Sequence, residues 1–240
     1  RYLKSFGIHA FEYSLFLLFG ILGIMLLVSS NDLVFLYIAI ELQSLSLYTL
    51  SSFKRGSAFS TEAGLKYFIL GAFSSGLLLF GSSLIYALLG STNFEDICRL
   101  LVLGNGYSVF IYKGVVLGLV FLLFGLLFKL SAAPFHVWSP DVYEGSPTSV
   151  STFFAVVPKI VLLSVLVKVL FIPFYDLLDI WYFIIAFSSV FSMVLSSIVA
   201  IYQRRLKRFL AYSSIGHVGY MIIGVSCASL EGIQSVFIYV

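Results

Sequence analysis

An all-α, polytopic membrane fold is what this sequence predicts, and three observations carry that reading. Of the 240 residues, 60% are hydrophobic and only 10% charged, with a mean hydropathy of +1.07, which lies outside the range of soluble globular domains. The apolar residues come in runs of roughly 20, the length that a ~30 Å hydrocarbon core requires of a helix. Residue-by-residue alternation, the mark of a transmembrane barrel, is absent, and helices are the other structure that satisfies its own backbone in lipid.

Taken in order, the spans fall at 12–30, 32–53, 62–89, 108–130, 148–172, 178–202 and 206–229. With what looks like another helix starting at Glu231, that makes about seven to eight transmembrane helices. The flank 1–11 precedes them. Ser29–Asp32 is so short a connection that the first two helices must be antiparallel neighbours. Lys54–Ser60, Gly104–Gly106 and Phe171–Asp179, with Pro173 inside it, mark further ends. Residues 93–113 interleave Phe94, Ile97, Leu100 and Leu101 with Glu95, Asp96 and Arg99, which suits a segment lying at the membrane interface. The fourth span is broken by Pro134, so one helix is discontinuous. Residues 12–172 form a five-helix group, and 173–240 begin a second. Five is odd, so a second copy enters the membrane from the opposite side, as in the inverted repeats of transporters. The chain opens on Arg1 and ends at Val240 in mid apolar run, and it is expected to be an incomplete portion of a longer polypeptide.

Charge gives an orientation. With alternating spans, one face collects Arg1, Lys4, Lys54, Arg55, Arg204, Arg205, Lys207 and Arg208. The other collects Asp32, Glu95, Asp96, Asp176, Asp179 and Glu231, with Arg99 and Lys113 as its basic residues. Cytoplasm or matrix lies on the first face by the positive-inside rule, and the Arg204–Arg208 cluster reads as a topology anchor. Cys98 and Cys227 have neither CxxC nor haem-attachment spacing. No Walker loop, GxGxxG, HExxH or nucleophile elbow is present, so no cofactor or metal is expected in this chain.

Lys129 sits inside an apolar run five residues before Pro134. A charge at mid-membrane costs about 2.5–3.5 kcal/mol on insertion scales, so such residues are functional candidates. Backbone that leaves the helix at that depth survives only where protein or water surrounds it, which places water within reach of Lys129 and of His136 beyond the break. Glu41 shares a helix face with Tyr37, Ser44 and Tyr48, a polar stripe turned toward protein. Lys159 follows Pro158, which frees a carbonyl near Phe154. Lys66 lies about one turn inside its helix and suits either a relay or an interfacial anchor. Lys168 is a snorkelling residue near a span end. His217 stands mid-span between Ser213 and Tyr220, and imidazole passes protons near neutral pH. Ser188, Ser192 and Ser196 form a seam explained by helix packing. At about 4 Å and an effective dielectric near 20, one ion pair is worth about 4 kcal/mol, comparable to the cost of burying the ammonium. Moving a carboxylate relative to Lys129 would therefore switch its proton.

The runs LFKLSAAPFHVWSPDVYEGSPTSVSTFFAVVPK, IELQSLSLYTL, EAGLKYFILGAFSSG and LKRFLAYSSIGHVGY resemble the antiporter-like subunits of respiratory complex I over nearly the whole chain. That resemblance implies a proton-translocating membrane subunit. Glu41 and Lys129 would be its charge-coupling pair, Lys159 a central-axis lysine, and Lys66, His136 and His217 accessory members of the proton path. It implies flavin, iron–sulfur clusters and quinone in other subunits, other membrane-arm subunits and the lipid bilayer as partners, no nucleic acid, and a mitochondrial inner membrane or bacterial plasma membrane. A related cation/proton antiporter is the alternative, and an electrostatically inert membrane scaffold is the reading from a different class.

Overall fold

The computed structural model describes residues 10–54, 56–103 and 109–240. Arg1, Lys4, Arg55 and the Gly104–Gly106 turn lie outside the described residues. Ten α-helices follow one another: α1 Ala10–Ser29, α2 Leu33–Ser51, α3 Ala58–Leu89, α4 Phe94–Leu103, α5 Val109–Leu130, α6 Trp138–Gly145, α7 Thr148–Phe171, α8 Leu178–Ile201, α9 Leu206–Ser226 and α10 Leu230–Tyr239, with a 3₁₀ turn at Tyr175–Leu177. Seven of them, α1, α2, α3, α5, α7, α8 and α9, are long and apolar enough to cross a membrane. The third begins at Ala58, earlier than the apolar run suggests. Its 32 residues extend about 48 Å at ~1.5 Å per residue, so its ends project past the hydrocarbon. The interfacial expectation for 93–113 falls partly on the short helix α4, which buries Phe94 and Ile97 and pairs Arg99 with Glu95 and Asp96 at 3.6 Å each. Lys113, at the other end of that range, lies in the first turns of the long helix α5.

The two faces of the molecule are tied by different chemistry. At one, Asp32 caps α2 by accepting from the Val34 amide at 2.8 Å, and its second oxygen accepts from the Thr92 hydroxyl at 2.7 Å. The Leu33 amide donates to Thr92 O, and the Phe94 amide to Asn31 O. Lys168 reaches the Val28 carbonyl at 3.2 Å on this same face, as a residue near the span's end would. At the opposite face the Ser60 hydroxyl donates to Ser51 O and Lys207 to Ser146 O at 2.7 Å.

Between the faces, spanning helices approach closely through small residues, since apolar surface gains little from leaving lipid. A Cβ on Gly81 would lie 2.6 Å from the Gly118 carbonyl, so α3 and α5 touch backbone to backbone there. Ser188, Ser192 and Ser196 are buried where α8 packs on α9.

The discontinuity takes a different form from a proline kink. Helix α5 stops at Leu130, before Pro134, in a Schellman motif. Ser131 adopts φ 60°, its amide donates to Phe128 O, and the Ala132 amide donates to Leu127 O. The Trp138 indole also donates to Phe128 O at 3.0 Å, so a carbonyl released by the break finds partners. Chain direction resumes as a helix only at Trp138. Pro158, by contrast, leaves α7 unbroken from Thr148 to Phe171, because the residues around it stay helical at the loss of a single donor. The carbonyl that Pro158 frees near Phe154 therefore comes without a break in the helix beside Lys159.

Candidate functional site

Glu41 is the ninth of 19 residues in α2, Lys159 the twelfth of 24 in α7, and His217 the twelfth of 21 in α9, so all three stand at mid-span. Lys129, next to last in α5, reaches the same depth because α6 continues its path toward the basic face. Lys129 and Lys159 are both buried and line one cavity of about 20 Å³ together with Gln43, Ser44, Tyr67 and Trp138. That volume suffices for about one water molecule.

Neither lysine forms an ion pair among the described residues. Lys129 Nζ donates to the Tyr48 hydroxyl at 3.1 Å and stands 5.6 Å from that ring's centre. The Tyr48 hydroxyl fits only because residue 71 is glycine, where a Cβ would lie 2.1 Å from it. Tyr48 meets Tyr67 edge-on at 4.6 Å, and Tyr67 stacks on Trp138 at 4.6 Å, so one aromatic column walls the cavity. Glu41 makes no ion pair with Lys129, whose ammonium is held by Tyr48 instead. One oxygen of Glu41 is buried without a hydrogen-bond partner, a state that costs about 1–3 kcal/mol or more for a charged group. The hydrogen-bond partner of Lys129 on α2 is thus the Tyr48 hydroxyl and not the Glu41 carboxylate.

Lys159 Nζ donates to the Ser214 hydroxyl of α9 at 2.9 Å and lies 5.7 Å from the Tyr143 ring centre. Ser214 in turn donates to Ala211 O at 2.7 Å. Its hydroxyl separates the lysine from a second cavity of about 300 Å³, lined by Tyr143, Ser151, Thr152, Ser213, Ser214 and His217 among others. His217 opens onto that groove and shares a 2.8 Å hydrogen bond with Tyr239, so it does not contact Lys159. His136 is half-buried beside Tyr212, with ring centres 6.5 Å apart, and does not line the lysine cavity. Lys66 sits about 12 Å along α3 and pairs with Glu62 at 2.7 Å and Asp141 at 3.0 Å. It belongs to the basic face, where Arg208 also pairs with Asp141, at 2.6 Å, and both Arg205 and Arg208 pair with Glu144. Two members of the Arg204–Arg208 cluster, Arg205 and Arg208, are thus matched by carboxylates while their side chains stay 63% and 41% exposed. No group of three or more metal-ligand side chains converges among the described residues.

A family model described as "NADH:quinone oxidoreductase/Mrp antiporter, TM" matches residues 30–240. The chain belongs to this family. Subunit N of NADH-quinone oxidoreductase from Pelagibacter ubique is 53% identical over 239 residues, covering 100% of this chain and 49% of that protein. NADH-ubiquinone oxidoreductase chain 2 of Marchantia polymorpha is 48% identical over 247 residues, covering 100% and 50%. A chain of respiratory complex I from Thermus thermophilus superposes with a TM-score of 0.76 at 36% identity, over 94% of this chain and 47% of that one. The chain spans about half the length of the curated relatives it matches. This member of the NADH:quinone oxidoreductase/Mrp antiporter family therefore has the all-helical membrane architecture that its hydropathy implies.

Several residues that shape the site are invisible to pattern reading. Ser214 is one of two adjacent serines, and spacing alone does not choose between it and Ser213. Asp141 and Glu144 lie at i,i+3 on the short helix α6, a spacing that places them on one side. Their matching partners, Arg205 and Arg208, carry the same spacing 64 positions later, the one signal by which the network could have been found.

Proposed function

We propose that this chain is part of the proton-translocating membrane-arm subunit of NADH:quinone oxidoreductase, the counterpart of NADH dehydrogenase subunit 2 and of bacterial subunit N. It works in an energy-transducing membrane, the mitochondrial inner membrane or the bacterial plasma membrane, among other membrane-arm subunits. NADH oxidation and quinone reduction occur in those other subunits, which carry the flavin and iron–sulfur clusters, and this chain carries no cofactor of its own. One observation supports the reading above all: two buried lysines with hydroxyl partners and no counter-ion share a water-sized cavity at mid-span.

An uncompensated ammonium in a low-dielectric interior is costly, and the approach of a carboxylate removes much of that cost. Glu41, with an oxygen still unpartnered, is placed to supply or withdraw that compensation. A proton given up by Lys129 enters a cavity that Lys159 also lines. From Lys159, Ser214 leads to the groove of His217. Lys66 and His136 are accessory positions toward the basic face, and the five-helix group 12–172 with the first part of an inverted second group, 173–240, is the domain division we favour.

Replacing Lys129 or Glu41 by alanine should lower proton pumping and coupled turnover while leaving the amount of assembled complex near normal. Normal pumping by an assembled Lys129→Ala variant would overturn the assignment. The family description also names Mrp antiporters, so cation/proton exchange is the second reading. Sodium-dependent transport, in an assembly whose other chains lack flavin and iron–sulfur motifs, would select it.

A further inference from the structure

Helix α6 is eight residues long, too short to be stable alone, and residues 131–137 separate it from α5. Yet it bears two walls of the lysine site: Trp138 lines the cavity between Lys129 and Lys159, and the Tyr143 ring lies beneath the Lys159 ammonium. Whatever fixes α6 therefore fixes the surroundings of both lysines. Its outer side carries Asp141 and Glu144, one turn apart. Arg208 of α9 lies between them, its Nη2 donating to Asp141 and its Nε side forming an ion pair with Glu144. Arg205 takes the other oxygen of Glu144, and Lys66 of α3 takes the other oxygen of Asp141. Lys207 donates to the Glu144 and Ser146 carbonyls at 3.4 and 2.7 Å, where the C-terminal end of a helix attracts cations.

Single exposed ion pairs contribute little. This network differs in sharing one guanidinium between two carboxylates, and in burying Glu144, whose side chain is 13% exposed. A planar guanidinium offers separate nitrogens to two carboxylates, whereas a lysine ammonium is a single point charge. Three carboxylates, Glu62, Asp141 and Glu144, balance three cations, Lys66, Arg205 and Arg208. With Lys207 on the Glu144 and Ser146 carbonyls the cluster keeps one excess positive charge, and each of the three carboxylates is paired with cations of the cluster itself.

We propose that the network joining Asp141 and Glu144 of α6 to Arg205 and Arg208 at the start of α9 is a clamp that holds α6 against the lysine cavity. Asp141 and Arg208 are then positioning residues for proton transfer between Lys129 and Lys159. Movement of the basic end of α9 is passed to Trp138 and Tyr143 through the arginines. This inference rests on the proton-transfer reading above, and its test separates the two.

In the full-length subunit within its membrane complex, hydrogen–deuterium exchange of the 138–145 amides is compared among wild type, Asp141→Asn and Asp141→Glu. Protons pumped per NADH oxidised are measured on the same preparations. Asp141→Asn should speed α6 exchange roughly tenfold, the factor that ~1.4 kcal/mol of local stability gives, and lower the proton ratio. Asp141→Glu, which keeps the charge, should restore both. If Asp141→Asn does not accumulate, Arg208→Lys, which retains a charge but lacks the planar guanidinium, serves in the same comparison. Unchanged exchange overturns the clamp, and faster exchange with an unchanged proton ratio overturns its positioning role. Normal pumping by Lys129→Ala would instead strike the functional reading and leave the exchange result standing.

Discussion

Tyr48 decides what Lys129 touches, and Gly71 decides where Tyr48 goes. Adding one methyl group at Gly71 places carbon 2.1 Å from the Tyr48 hydroxyl, so the ring must move and the lysine loses its hydrogen bond. Gly71→Ala is expected to destabilise the subunit by about 1–3 kcal/mol, the usual cost of overpacking, read as a lower thermal midpoint of the purified complex. Tyr48→Phe keeps the ring and its contact with Tyr67 while deleting the acceptor. A buried ammonium stripped of its acceptor forfeits about 1–3 kcal/mol or more, so Tyr48→Phe should impair pumping with little change in assembly. Pumping equal to wild type would show that Lys129 does not depend on this hydroxyl. Ser214 stands in the same relation to Lys159, which makes both lysines dependent on neighbours from other helices.

Among the helices, the break after α5 shows how local chemistry and depth cooperate. Ser131 takes a positive φ that costs non-glycine residues about 1–2 kcal/mol and is worst for β-branched ones. Ser131→Val should therefore disrupt the α5 terminus and reduce the yield of assembled complex, whereas Ser131→Gly should leave that yield unchanged. Helix α3 depends on contact rather than on turn geometry. Because Gly81 lies against the Gly118 backbone, Gly81→Val should separate α3 from α5, measurable as loss of assembled subunit from the membrane. Pro158 lies within a continuous helix and Pro134 outside one. Proline identity alone therefore did not reveal which of the two marks the discontinuity; the left-handed residue three positions ahead of Pro134 does.

The whole molecule presents one face closed by Asp32, Thr92 and the α4 helix, and another closed by ion pairs between α3, α6 and α9. If the basic face is inside, Cys98 in α4 and Cys227 at the end of α9 both lie outside, and neither is in a disulfide. A membrane-impermeant maleimide should label them from the periplasmic or intermembrane side, Cys227 faster because it is the more exposed. Labelling from the opposite side would invert the orientation. The spans were legible because lipid imposes a length and an apolarity on each helix that hold without knowledge of its neighbours. The mid-span placement of Glu41, Lys129 and Lys159 was legible for the same reason, since a charge inside an apolar run stands out in the sequence. The hydropathy of the chain by itself determined the number, order and approximate ends of the membrane helices and which charges lie deep within them. Only the tertiary structure decided that Lys129 meets Tyr48 rather than Glu41, that Lys159 meets Ser214, and that the arginines grip α6. Such partners come from helices 55 to 81 residues away, and hydrogen bonds between separate helices obey distance in space, of which a one-dimensional pattern keeps no record.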